Sequence, residues 1–280
     1  MSQVKIVDAW MNPNILAPSG RPEHFERIEY LFGGTTSLRA RGTTTEQYIE
    51  EMDRAGIERG VLTATVENPE GYNDWVFEMC ENHPDRFVPA LYVDPTHGMD
   101  SIRAVEAMHR DHDIRLVKVL GFKTQLPYDH PYYFPLYAKC IELDVPISVN
   151  VGIPGPAVPG RCQDPMALDE VCYFFPELKV IMAHGGEPWD ALCVKLMLKW
   201  RHLYYMTSAF APKHIPGSVL HYLNTRGADK VMFASDYPIL SFDRCREEVD
   251  RMEFRDDSVR EKFLRGNALR VIYGESDGNH

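Results

Sequence analysis

The sequence predicts an α/β protein folded as a (β/α)8 TIM barrel. Apolar runs of strand length alternate eight times with segments whose apolar residues recur three and four apart, the period of a helix packed on one face. Two of the runs stop at a polar residue, His184 in VIMAHGGEPW and Asp236 in VMFASDYP. The C-terminal strand ends are where barrels of this kind hold their chemistry. No G-x-G-x-x-G follows the first run, which argues against a doubly wound open sheet.

The expected strands, in order, are VKIVDA (4–9), GVLTATV (60–66), FVPALYV (87–93), IRLVKVL (114–120), PISVNV (146–151), KVIMAH (179–184), LYYMTS (203–208) and KVMFAS (230–235). Each precedes one helical pattern: TEQYIEEMDRAG, NDWVFEMCENH, MDSIRAVEAMHR, YFPLYAKCIELD, PMALDEVCYFF, WDALCVKLMLKW, PGSVLHYLNTRG and FDRCREEVDRM. Residues 256–273 then supply a closing helical segment outside the barrel, so 1–280 reads as one domain. Two connections exceed plain turns: the insertion at 13–44, whose HFERIEYLF predicts a short amphipathic helix over the mouth, and the Pro/Gly-rich 152–164. Loops this long inside a compact domain usually act as lids or binding walls.

Composition narrows the partners. With 44% hydrophobic and 25% charged residues, 280 residues can bury a full core. A net charge of -11 argues against nucleic acid, whose phosphates demand clustered Lys and Arg. No apolar run approaches the roughly 18 residues of a membrane span. MSQVKIVDAW lacks the pattern of a secretory signal. The six cysteines are scattered with no C-x-x-C, as expected of reduced thiols in a cytoplasmic protein.

The strand-end residues at the mouth are Asp8, Trp10 and Asn12, then Lys118, Asn150, His184 and Asp236. Strict alternation would point Asp8, Trp10 and Asn12 to one side. His184 and Asp236 are the candidate catalytic groups, a pair able to move a proton with the carboxylate orienting the imidazole. Trp10, Asn12, Lys118, Phe122, Asn150, Glu187, Trp189 and Tyr237 are candidate substrate-binding residues. Lys118 lies inside an apolar run, and a buried lysine needs a carboxylate partner or a ligand. Pro188 suits the first turn of a helix, which would make Glu187 its N-cap. The aromatic four, Trp10, Phe122, Trp189 and Tyr237, could wall a pocket for a ring-shaped ligand.

PLYAKCIELDVPISV, FPELKVIMAHGGEPW and RGADKVMFASDYP give the chain a resemblance, over roughly residues 4–273, to the amidohydrolase superfamily. Within it the chain resembles the branch of aminocarboxymuconate-semialdehyde and resorcylate decarboxylases. That branch holds a divalent metal, usually zinc, with an H-x-H pair on strand one, a histidine on strand five and an aspartate on strand eight; a strand-six histidine assists. Those positions fall here on Trp10, Asn12, Asn150, Asp236 and His184.

Trp10 cannot ligate a metal, and Asn12 and Asn150 offer neutral amide oxygens where zinc prefers imidazole or thiolate. No tightly bound cofactor is expected, and at most a weak divalent ion. His83, His109, His112 and His202 sit away from strand ends, whereas His24 and His214 lie on loops that reach the mouth. The resemblance implies an enzyme, a hydrolase or carboxy-lyase that acts on a small carboxylated or cyclic compound without tight zinc, and a homodimer. Two other readings stand beside it: a catalytically lapsed barrel kept for binding, and a metal-dependent hydrolase whose site His24 or His214 rebuilds.

Overall fold

The computed structural model describes residues 4–13, 44–66 and 72–275. Its eight strands are β1 Ile6–Met11, β2 Ile57–Thr65, β3 Phe87–Tyr92, β4 Leu116–Val119, β5 Ile147–Asn150, β6 Val180–Ala183, β7 Leu203–Met206 and β8 Val231–Met232. They pair in parallel in sequence order. The ring closes where β1 meets the segment after β8: Ala9 N–H donates to Phe233 O at 3.1 Å, Asp236 N–H to Trp10 O at 3.0 Å and Asn12 N–H to Tyr237 O at 2.8 Å. Every run expected as a strand contributes one. Residues 14–43, with the HFERIEYLF segment and His24, lie outside the described residues.

The helices between the strands are α1 Thr45–Ala55, α2 Tyr72–Asn82, α3 Met99–His112, the short α4 Gly121–Thr124, α5 Phe134–Glu142, α6 Ala167–Phe174, α7 Asp190–Lys199 and α8 Gly217–Leu223. After β8 come α9 Phe242–Asp250, α10 Asp257–Glu261, a π-helical turn Lys262–Gly266 and α11 Asn267–Val271. Local chemistry sets several ends. At α1, Thr44 and Gln47 form a reciprocal capping box, and Gly56 stops the helix at φ 72°. No described helix is long and apolar enough to cross a membrane.

Two apolar layers flank the sheet. Inside, Val7, Ala9, Val61, Ala90, Leu116 and Ile181 pack together, closed at the end where the strands begin by Leu269, Val271 and Ile272. The outer faces pack on the helices. β8 is short because its continuation bonds elsewhere: Phe233 N–H donates to Phe263 O in the π-helical turn at 2.9 Å, and Ala234 N–H to the Thr207 hydroxyl at 3.2 Å. All six cysteines are free thiols, and burial pushes Cys140 up to about 12.

One glycine ties the fold to the mouth. Gly152, after β5, has φ 94°, and a Cβ there would lie 2.8 Å from Glu187 O. The same seam carries a bond from Ile153 N–H to Glu187 O at 2.8 Å. Gly152→Ala is expected to lower stability by about 2–4 kcal/mol, from left-handed backbone strain plus a clash with backbone that cannot swing aside. Urea denaturation measures it, and a loss below about 0.5 kcal/mol would contradict the account.

Candidate active site

Lys118, Ser148 and Ile181 pair in register across β4, β5 and β6, so their side chains share the barrel's inner face. Asn150, two residues beyond Ser148, shares that face nearer the mouth. On β1 the alternation fails. Register shifts between Asp8 and Met11, and both Ala9 and Trp10 join the inner core. Asp8 therefore does not share the direction of Trp10 and Asn12 as strict alternation required. Its carboxylate runs along the β1–β8 seam, accepting from Trp10 N–H at 3.1 Å, Ser235 N–H at 3.0 Å and the Ser235 hydroxyl.

His184 and Asp236 end their strands in the left-handed region, at φ 66° and 61°. Non-glycine residues adopt it rarely, at a cost of about 1–3 kcal/mol each, and such strain concentrates at functional sites. Both keep part of their surface open. They do not bond to each other, which corrects the direct pair expected from sequence. His184 Nδ1 contacts the Ser208 hydroxyl at 2.9 Å, and that hydroxyl also accepts from His184 N–H at 3.2 Å. With the Ser208 proton directed at Nδ1, the neutral ring carries its own proton on Nε2. Asp236 Oδ1 accepts from the Asn12 amide at 2.8 Å. Trp10 touches the histidine, edge to face at a ring separation of 4.6 Å.

Electrostatics follow from enclosure. Burial pushes Asp236 up to about 7, against the Asn12 hydrogen bond and the nearby Lys118 charge. Burial, aided by Lys118 and opposed by a hydrogen bond to the Ser208 backbone, brings His184 down to about 4. Asp8 is driven up to about 6 by burial, with its Ser235 and Trp10 bonds opposing. Burial also lowers Lys118 well below the usual lysine range, while Asp236 and Asp8 pull it back. At neutral pH the histidine is uncharged and the aspartate divides between its two states.

The remaining candidates separate. Lys118 faces the interior but has no exposed surface, and the Trp10 indole covers it with Nζ 3.5 Å from the ring centroid. Direct contact between Lys118 and a substrate carboxylate is thus blocked by Trp10. Asn150 is 3% exposed and its Oδ1 has no partner among the described residues, an acceptor waiting for a donor. Phe122 is half-buried on α4, its N–H bound to Gln163 Oε1 at 3.0 Å. Trp189 is half-buried at the start of α7.

Tyr237 belongs elsewhere: its ring stacks on Phe242 at 3.9 Å and its hydroxyl donates to Glu51 Oε2 at 2.9 Å, both in the helix layer. Glu187 is exposed and caps nothing, since α7 begins three residues later with Trp189 in the cap position. His214 is exposed in a turn, and His109 and His112 lie on α3.

Sequence reasoning overlooked Ser208, Thr63 and Gln163. Ser208 fixes the histidine ring, Thr63 receives the Lys118 amine at 2.6 Å, and Gln163 ties the loop after β4 to Gly152 O at 2.7 Å. The signal for Ser208 was its place at the end of LYYMTS, level with the other strand-end polar residues.

A family model described as Amidohydrolase matches residues 7–273. An uncharacterized TIM-barrel protein of Bordetella bronchiseptica is similar at 23% identity and TM-score 0.79, over 96% of this chain and 98% of that one. 5-Carboxyvanillate decarboxylase of Sphingomonas paucimobilis gives 14% and 0.71, over 97% and 99%. A dihydroxybenzoic acid decarboxylase of Polaromonas sp., solved with bound manganese and 2-nitroresorcinol, gives 16% and 0.70, over 98% and 99%. No curated protein matches. At these identities the solved structures establish the fold alone.

Proposed function

We propose, for a chain that belongs to the amidohydrolase family, that the barrel mouth decarboxylates a small carboxylated aromatic compound, with Asp236 and His184 as its acid–base groups and without a tightly held metal. The observation that carries this reading is the pair of strained strand ends, φ 66° and 61°, that hold these two side chains at the mouth. The names of the solved relatives support the substrate class. Hydrolysis is the other reaction open to such a barrel, but a carboxyl pushed up to about 7 is better suited to donating a proton.

Asp236 in its protonated form gives its proton to the ring carbon that bears the carboxylate. The bond from that carbon to the carboxylate breaks, its electron pair returns to the ring, carbon dioxide leaves, and Asp236 recovers a proton from water. His184 is neutral at the start, and its Nε2 makes no hydrogen bond among the described residues. As the second acid of the pair it donates that N–H toward a substrate oxygen as negative charge gathers there. Asn150 Oδ1 would accept from a ring hydroxyl.

Manganese in relatives raises the question of a metal here, and the donor set does not fit one. Trp10 has no lone pair to give. The Asn12 NH2 donates to both Asp236 Oδ1 at 2.8 Å and Tyr237 O at 3.1 Å, two acceptors that fix which end of the amide faces the carboxylate. At the two strand-one positions, where the family's imidazoles would offer lone pairs, this chain presents N–H groups, and Asn150 at the third offers only a neutral amide oxygen. Among the described residues no three His, Cys, Asp or Glu side chains converge. No step is therefore routed through a metal.

Purified protein is expected to turn over members of a panel of hydroxylated benzoates at the same rate with and without EDTA, read by ultraviolet absorbance and released carbon dioxide. A tenfold loss on chelation that manganese restores would sink the reading, as would no turnover of any panel member. The homodimer belongs to the same proposal; exposed Met166, Tyr173 and Phe174 at α6 offer a face for it. Light scattering at the 32.1 kDa mass of one chain would remove it.

A further inference from the structure

We infer that Lys123 holds a second, retained carboxylate of the substrate, on the side of the mouth away from the scissile one, so that the compound processed is an aromatic dicarboxylate. The inference rests on the decarboxylase reading above and deepens it by naming the substrate class.

Lys123 sits on α4, the single helical turn directly after β4, and its side chain is exposed. Its Nζ lies 4.5 Å from the centroid of the Tyr92 ring, a distance at which the ring face attracts a cation. Tyr92 ends β3, in register with Lys118 on β4 and two residues beyond Ala90 of the inner core. Its side chain therefore shares the barrel's inner face, at the mouth. The ring contact turns Lys123 inward over the mouth rather than out to solvent. The turn that carries it is held on both sides. Phe122 N–H bonds to Gln163 Oε1 at 3.0 Å, and Gly121 lies so close to Tyr128 that a Cβ would fall 2.5 Å from its hydroxyl.

Among the described residues Lys123 has no carboxylate partner, in a chain whose net charge is -11. On the loop after β7, by contrast, Lys213 reaches Glu248 at 3.7 Å. Arg161, on the loop after β5, is exposed and likewise has no carboxylate partner among the described residues, but no described contact turns it toward the mouth. Lys123 is thus the cation the mouth offers to an anion from outside.

Trp10 fixes which anion that is. Its indole meets Lys118 on β4 at 3.5 Å and His184 after β6 at 4.6 Å, and its carbonyl accepts from Asp236 N–H at 3.0 Å. The indole lies between the acid–base groups and the β3–β4 side. A ring seated over it, with the scissile carboxylate at Asp236, turns its far edge toward Lys123. A carboxylate on that edge keeps its charge throughout the reaction, so Lys123 binds ground state and transition state alike, which lowers KM and leaves kcat unchanged. On the scissile carboxylate the same cation would oppose the reaction, because that group loses its charge as carbon dioxide leaves.

Isothermal titration calorimetry at low ionic strength compares 5-hydroxybenzene-1,3-dicarboxylate with its monoamide, which differs by one charge and hardly in shape. Unaltered protein is expected to bind the dicarboxylate about fivefold more tightly, the upper end for an exposed ion pair, with the preference fading in 1 M salt. Lys123→Gln is expected to lose the preference and to bind the monoamide within twofold of unaltered protein. Lys123→Arg keeps the preference. Lys195→Gln, an equal change of net charge at an exposed position of α7, leaves both affinities as they were. In turnover, Lys123→Gln raises KM for the dicarboxylate about fivefold and holds kcat within twofold. No preference in unaltered protein, a preference that survives in Lys123→Gln, or an equal loss for both probes overturns the role of Lys123 and leaves decarboxylation of monocarboxylates standing. A benzoate panel with no member turned over sinks the reading beneath it.

Discussion

Replacing His184 with asparagine is expected to lower kcat by about 10²–10⁴-fold, the usual contribution of a positioned acid–base group, without loss of the fold. Asparagine is the right probe because the backbone at this position is left-handed, φ 66°, a conformation it tolerates far better than most residues. Its amide can still reach the Ser208 hydroxyl, so what is lost is the proton-bearing ring. Stability supplies a second readout whose sign is fixed. His184 is held down near 4 in the folded protein, below the 6.5 of a free imidazole. As pH falls from 6.5 toward 4 the unfolded chain takes up a proton the folded chain refuses, so wild-type protein loses stability through that window. His184→Asn escapes that loss and should gain on wild type steadily from pH 6.5 to 4, measured by urea unfolding at several pH values. Unchanged turnover, or a stability difference flat across that window, would remove His184 from the mechanism.

The barrel was legible because its two periods are robust: strand-length apolar runs and helical spacing survive whatever the loops do. Individual side-chain directions were less so, and each miss has a local cause. Trp10 and Asn12 were expected on one side with Asp8, but alternation could not reveal the shift that puts Ala9 and Trp10 on one face, because the register of β1 depends on β2. Tyr237 follows an aspartate at φ 61°, and that turn carries its ring to Phe242 and Tyr48 in the helix layer. Glu187 looked like a cap because Pro188 suits a first turn; Gly185 and Gly186, at φ 81° and 75°, instead begin a longer loop before α7.

The interior direction of Lys118 was open in the sequence and is now fixed. That Trp10 covers it was not readable, because the contact joins β1 to β4 across the barrel. The same limit applies to His184 and Asp236. Their strand-end positions could be read from where the apolar runs stop, but their partners, Ser208 and Asn12, are chosen by neighbours on other strands.

Asp236→Asn is expected to abolish most turnover, by about 10²–10⁴-fold, while making the protein more stable at neutral and alkaline pH. Asparagine keeps the Asn12 contact through its own oxygen and suits φ 61°, but it has no proton to give a ring carbon. The stability sign is opposite to that of His184. Burial lifts Asp236 from 3.8 to about 7, so the folded chain holds a proton the unfolded chain has released. Wild-type stability from this group is therefore present below 3.8 and lost as pH rises through 7. A shift of that size corresponds to about 4 kcal/mol at full effect. Because the side chain keeps some solvent contact, a gain of about 2 kcal/mol at pH 8 is the expected result. The advantage should shrink as pH falls toward 4, because the unfolded carboxyl then begins to take up its own proton. Guanidinium unfolding at pH 8 and pH 4.5 measures it, beside turnover at pH 6. An inactive variant with no gain at pH 8 would mean that Asp236 ionises freely in the fold, and a carboxylate of that kind could not serve as the proton donor.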